Sequence, residues 1–172
     1  LAADSNTNLP RRLVALDSTS GDVRWGPLEI PDANRLVINH RYAVVTRGYE
    51  GAIAAYDVHS GALIWSRTLD NPGLLLASDT ALVVRTNNGF EVLDPDGGNT
   101  MRTIAASAND ALLADGRLFV GVNNSLNAYD IGTGDALWSV TLPESPSLVV
   151  ANSGYVVTYY WTYNPMANQY EQ

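Results

Sequence analysis

The chain has 172 residues, 46% of them apolar and 16% charged, with no cysteine and a formal charge of −8 from 10 basic and 18 acidic side chains. This length suits one domain or one compact repeat array that buries roughly two-thirds of its unfolded surface without a metal or disulfide staple, and the lack of cysteine excludes disulfide frameworks, zinc–thiolate sites and thiol nucleophiles. Basic residues are scattered apart from Arg11-Arg12, which argues against nucleic acid as a partner, and no run of 18 apolar residues offers a membrane span.

Taken in chain order, residues 1–12 read as a polar tail, whose start Leu1-Ala2-Ala3-Asp4 lacks the basic-then-apolar pattern of an export signal. Residues 13–30 read as a hairpin, with strands near Leu13–Leu16 and Val23–Leu28 around Asp17 and Gly21. Residues 34–70 contain two short apolar runs, Leu36–Ile38 and Tyr42–Thr46, and then a second hairpin around Asp57 and Gly61. The same order returns over 74–106, with Asp94 and Gly98, and over 111–142, with Asp130 and Gly134. Residues 147–163 supply two more strands, near Leu148–Ala151 and Tyr155–Tyr160, and 164–172 read as a tail.

The four hairpins form an internal repeat. Their aspartates are 40, 37 and 36 residues apart, each is followed four residues later by glycine, and Trp25, Trp65 and Trp138 follow at plus eight in three of the four copies. In such a turn the carboxylate accepts backbone N–H groups and glycine supplies a positive φ. Each full repeat is then a four-stranded antiparallel meander of propeller-blade length. No stretch shows sustained helical spacing of apolar residues, so the predicted fold is all-β: a β-propeller of about four blades. The chain starts on the last two strands of a blade and ends on the first two, so the termini are complementary halves of one composite closing blade. Three arrangements satisfy this: a monomeric four-bladed ring closed by its own ends, a dimer sharing one eight-bladed ring, or a segment of a longer propeller.

At Ala15/Asp17/Gly21/Trp25, Ala55/Asp57/Gly61/Trp65 and Ala128/Asp130/Gly134/Trp138 the chain resembles the pyrroloquinoline-quinone-like propeller repeat family. That family includes quinoprotein alcohol dehydrogenases and the non-enzymatic BamB-type lipoproteins of outer-membrane assembly. The resemblance implies that the tryptophans dock between neighbouring blades and that the chain works outside the cytoplasm, in the periplasm or at the cell surface. The third copy departs from the pattern, with Val92 for alanine and Arg102 for tryptophan, and a differently packed blade contact is expected there. No stretch matches the family's catalytic motif, so no catalytic residue and no quinone or other cofactor is carried over.

The residues themselves offer little chemistry. His40 and His59 fall in turns with no third metal ligand near them in sequence, and the acidic loop Asp94–Asn99 lacks the closing glutamate of a calcium loop. Neither catalytic nor metal-binding residues are predicted. Six of fifteen aromatics fall between Tyr155 and Tyr170, and alternation along a strand prevents Tyr159, Tyr160 and Trp161 from all facing inward. Together with Tyr163 these form the expected interaction surface, since tyrosine and tryptophan concentrate binding energy. The reading is a non-enzymatic scaffold for a protein or peptide partner, with a ligand-sensing domain of a larger receptor or a fragment of a quinoprotein dehydrogenase as alternatives.

Overall fold

The computed structural model describes residues 11–47, 51–108, 110–146, 148–152, 154–160, 162–164 and 169–171. Among these residues all regular structure is strand. β1 (Arg11–Leu16) and β2 (Val23–Ile30) form an isolated hairpin. Three four-stranded antiparallel meanders follow, each in sequential order: β3 (Ala33–Ile38) to β4 (Tyr42–Arg47), β5 (Ala52–Asp57) and β6 (Leu63–Thr68); β7 (Leu75–Ala77) to β8 (Leu82–Thr86), β9 (Gly89–Leu93) and β10 (Thr100–Ile104); and β11 (Asp110–Ala114) to β12 (Arg117–Val122), β13 (Ser125–Asp130) and β14 (Ala136–Thr141). A hairpin of β15 (Leu148–Asn152) and β16 (Tyr155–Tyr159) comes next. The C-terminal stretch read as a tail contains one more strand: β18 (Gln169–Glu171) pairs with β17 (Thr162–Asn164), placing Tyr163 opposite Tyr170. The aromatic run is thereby split, because β16 ends at Tyr159 and Tyr163 belongs to a separate ribbon.

The middle strands are near-continuous apolar runs because both of their faces are covered. β4 is buried from Tyr42 to Thr46, and Leu82, Val83 and Val84 of β8 and Leu118, Phe119 and Val120 of β12 are buried likewise. Stacking of blade on blade explains why these runs lack the apolar/polar alternation of a half-buried sheet. The outermost strands β6 and β14 face solvent along most of their length. Tyr42, Val44, Ile53 and Ala55 of the first full blade meet Leu75, Leu82, Val84 and Leu93 of the second. Val83, Phe90, Val92 and Ile104 of the second meet Ala111, Leu118 and Val120 of the third. Phe119, Leu126 and Ala128 then carry Ala151 and Val156 of the β15–β16 hairpin.

The two half-blades expected at the ends are therefore present as hairpins. Among the described residues no ladder joins β1 to β16, and each hairpin stands as its own two-stranded sheet.

Candidate functional site

The repeat motif builds a lock between blades. In each hairpin the first turn is held by the aspartate: Asp17 accepts the backbone N–H groups of Thr19 and Ser20 at 2.9 Å, Asp57 those of His59 and Ser60, Asp94 that of Asp96, and Asp130 that of Thr133. The motif alanine lies directly across the ladder from the tryptophan, in the pairs Ala15–Trp25, Ala55–Trp65 and Ala128–Trp138. A β-bulge follows each pair, and bulges increase local twist and re-aim side chains. Trp25 Nε1 donates to the Val58 carbonyl and Trp65 Nε1 to the Pro95 carbonyl, both at 2.8 Å. Each acceptor is the residue after the next blade's aspartate.

The motif glycine has two roles, of which sequence reasoning found one. Gly61 and Gly98 take φ of +72° and +70°, a region that disfavours any residue with a Cβ. They also lie under the indoles: a methyl at Gly61 would stand 2.8 Å from Trp25 Cδ2, and one at Gly98 2.6 Å from Trp65 Cε3. In the divergent third copy Arg102 pairs with Val92, and its Cδ lies 3.8 Å from the Cβ position of Gly134. Its Nε is buried without a hydrogen-bond partner among the described residues.

A second inter-blade clamp is formed by residues 39–42, where the turn read from sequence around His40 leads into the strand that starts at Tyr42. Asn39 Nδ2 donates to the Ser78 carbonyl at 3.0 Å, and His40 Nδ1 lies 2.7 Å from Asp79 Oδ1. Arg41 Nη1 and the Tyr42 hydroxyl converge on Asp96 Oδ1 at 2.8 and 2.6 Å, with the Arg41 guanidinium 5.0 Å from the Tyr42 ring centre. That carboxylate raises the phenol pKa of Tyr42. Asp96, in the acidic loop Asp94–Asn99, thus binds the neighbouring blade. His59 stays in the Asp57 turn, and its N–H caps Asp57.

The ends differ from the middle. Gly21 carries φ +78° like its counterparts, yet no atom lies within 4 Å of its Cβ position. Trp138 is 41% exposed, and its ring lies 5.9 Å, between centroids, from Phe119 of its own blade. On β16 the outward face carries Tyr155, Val157 and Tyr159, with Tyr155 76% and Val157 59% exposed. Of the expected interaction residues, Tyr159 lies on this face, and Tyr160 is half-buried. Trp161 and the side chain of Tyr163 lie outside the described residues. Tyr155 was missed, although its place two residues before Val157 and four before Tyr159 on one strand gives it the same face.

A cleft of about 670 Å³ opens between the first two full blades and is polar, with Arg35, Arg85, Asn71, Asn87 and Asn88 on its wall.

The sequence profile of outer membrane protein assembly factor BamB matches residues 11–160. The chain belongs to this BamB family of PQQ-like propeller repeats. BamB from Moraxella catarrhalis is 21% identical and superposes with a TM-score of 0.63 over 80% of this chain and 47% of its own. The computationally designed protein Ika8 gives 15% and 0.59 over 72% and 41%. A europium-containing methanol dehydrogenase gives 18% and 0.51 over 62% and 24%. At these identities the likeness shows the fold, and this BamB-family chain spans less than half of each of the three. A search of curated proteins found no match. Within the BamB family reading, the Asp, Gly and Trp positions serve the scaffold, and the open strand face of β16 is the candidate site.

Proposed function

We propose that this chain is a non-enzymatic propeller scaffold that holds a protein or peptide partner on the extracytoplasmic side of its cell. The observation that carries the reading is the outward row Tyr155, Val157 and Tyr159 on β16, which among the described residues is an edge strand and carries an apolar and aromatic face. Such an edge takes up an extended segment by strand addition, with backbone hydrogen bonds giving affinity and alternate side-chain contacts giving selectivity. Family membership supports a protein partner and the extracytoplasmic setting, and the stacked blades supply rigidity.

The test is site-specific photo-crosslinking in the source cells. A photoreactive phenylalanine at Tyr155 should give discrete protein adducts, reduced by a Val157→Asp change on the same face, whereas the probe at Leu63 on the outer strand β6 should give none. Equal labelling at both sites, or none at either, contradicts the reading.

A second reading, ligand sensing, draws on the polar cleft with Arg35 and Arg85. It requires thermal stabilisation by an anionic small molecule that Arg85→Ala abolishes.

A further inference from the structure

We infer that the polar cleft between the first two full blades seats an acidic, extended peptide segment, with Arg35 and Arg85 taking carboxylates and the asparagines taking the peptide backbone. The inference rests on the first reading of the function, a protein or peptide partner, and gives that partner a contact that uses no residue of β16.

The cleft, about 670 Å³, is walled by residues 34–35 of β3, the connector 71–73, the end of β8 with its turn at 85–89, and the connector 105–108. None of these belongs to the hairpins at the two ends. Arg35 lies across the ladder from Thr46, on the face of β4 whose Tyr42 and Val44 pack against the second full blade. Its side chain therefore points across that junction and away from the β1–β2 hairpin.

Charge sets this cleft apart. The chain carries −8 overall, and Arg12, Arg24, Arg41 and Arg67 each meet a carboxylate, those of Glu29, Asp17, Asp96 and Glu91. Among the described residues Arg35 and Arg85 meet none, and no aspartate or glutamate lines the cleft. Two guanidinium groups thus share one cleft of an acidic protein without an internal counter-ion.

The wall is also fixed in advance. Arg85 Nη1 donates to the Ala108 carbonyl at 3.2 Å, and the guanidinium packs on Gly73, where a methyl would stand 3.2 Å from Nε. A guanidinium carries five N–H donors, so most of those on Arg85 are left for an acceptor in the cleft. Asn71 Nδ2 donates to Asn87 Oδ1 at 3.0 Å, which ties the connector to the β8–β9 turn. That bond leaves the Asn71 carbonyl oxygen as an acceptor beside the Asn87 N–H donors, the complement of a peptide group. Side chains ordered before binding lower the entropy that an incoming segment must overcome.

A peptide suits this wall better than a compact organic ligand. Small-molecule pockets are mostly apolar and aromatic with a few polar groups, whereas no aromatic side chain lines this cleft and its apolar side chains are Pro72 and three alanines. Clustered arginines are a recurring means of holding acidic motifs, through paired N–H bonds to each carboxylate.

The test is an NMR titration of the isotope-labelled chain with a short peptide of alternating alanine and glutamate. The expected result is saturating shifts confined to the amides of 71–73, 85–89 and 105–108 and to the Arg35 and Arg85 Nε–H signals, with affinity falling as salt rises. Arg35→Gln should weaken binding about tenfold, as should Asn88→Asp, which sets a carboxylate in the cleft. Both residues are exposed, so neither change disturbs the core. Arg117→Gln, the same charge change outside the cleft, should leave binding unaltered. Absence of saturable shifts, equal binding of an alanine–glutamine peptide, or an equal loss in Arg117→Gln overturns the inference. Free glutarate that matches the peptide in affinity overturns the peptide occupant and favours the ligand-sensing reading. Binding in the cleft with no adduct at Tyr155 supports this contact and removes β16 as the partner's seat, whereas adducts at Tyr155 with an inert cleft overturn this contact alone.

Discussion

The indole of Trp65 covers Gly98 of the next blade so closely that a methyl there would lie 2.6 Å from Cε3, while Nε1 reaches the Pro95 carbonyl at 2.8 Å. Gly98→Ala must therefore accommodate both a positive φ and a displaced ring. We expect a loss of about 3 kcal/mol in chemical denaturation. Gly21→Ala has the same φ demand and an empty surrounding, so it should lose only about 1 kcal/mol. Equal losses at the two sites would show that the turn, and not the lock, sets the requirement.

The divergent third copy predicts a stabilising change. Among the described residues Arg102 buries an Nε without a hydrogen-bond partner beside Gly134, and an indole at that position would cover the glycine and aim its N–H at the Ile131 carbonyl. Arg102→Trp should raise stability by about 1–2 kcal/mol, by removing an unsatisfied donor and adding aromatic area. A fall in the denaturation midpoint would mean that this junction is packed for arginine.

Asp17 is held to a pKa of about 2, against the usual 3.8, first by the Arg24 side chain and then by the backbone N–H groups of Ser20 and Thr19. A depressed folded pKa stabilises above the unfolded value, and that contribution is lost as pH falls from about 4 toward 2. A carboxylate titration followed by NMR should show Asp17 moving up toward 3.8 in Arg24→Ala. An unmoved titration would assign the shift to the turn alone.

Tyr42 is 4% exposed and donates to Asp96 at 2.6 Å. Tyr42→Phe should lose about 1 kcal/mol. Since the carboxylate raises the phenol pKa, this contribution is complete below the ordinary tyrosine value and is lost as pH rises through the raised one. Phenolate absorbance should show one late-titrating tyrosine that disappears in Tyr42→Phe, and a variant in which the same late step persists would contradict the assignment.

The propeller was legible because one hairpin recurs: an aspartate, a glycine at plus four and a tryptophan at plus eight sit at nearly constant spacing between short apolar runs. What periodicity does not encode is which neighbour a side chain meets. Gly61 and Gly98 read as turn residues because their φ is a local property, whereas their cover by Trp25 and Trp65 arises from the stacking of blades. The clamp of Arg41 and Tyr42 on Asp96 joins residues more than 50 positions apart and leaves no local trace. Tyr155 was overlooked beside the denser run at Tyr159, Tyr160 and Trp161, yet the pairing of β15 with β16 makes it the most exposed apolar ring of that strand.

The most direct test of the blade lock is hydrogen exchange at the indole N–H groups, followed by NMR on dilute protein. The account predicts slow exchange at Trp25 and Trp65, whose protons are held by Val58 and Pro95. It predicts fast exchange at Trp138, which is 41% exposed. Equally fast exchange at Trp25, Trp65 and Trp138 would contradict the lock.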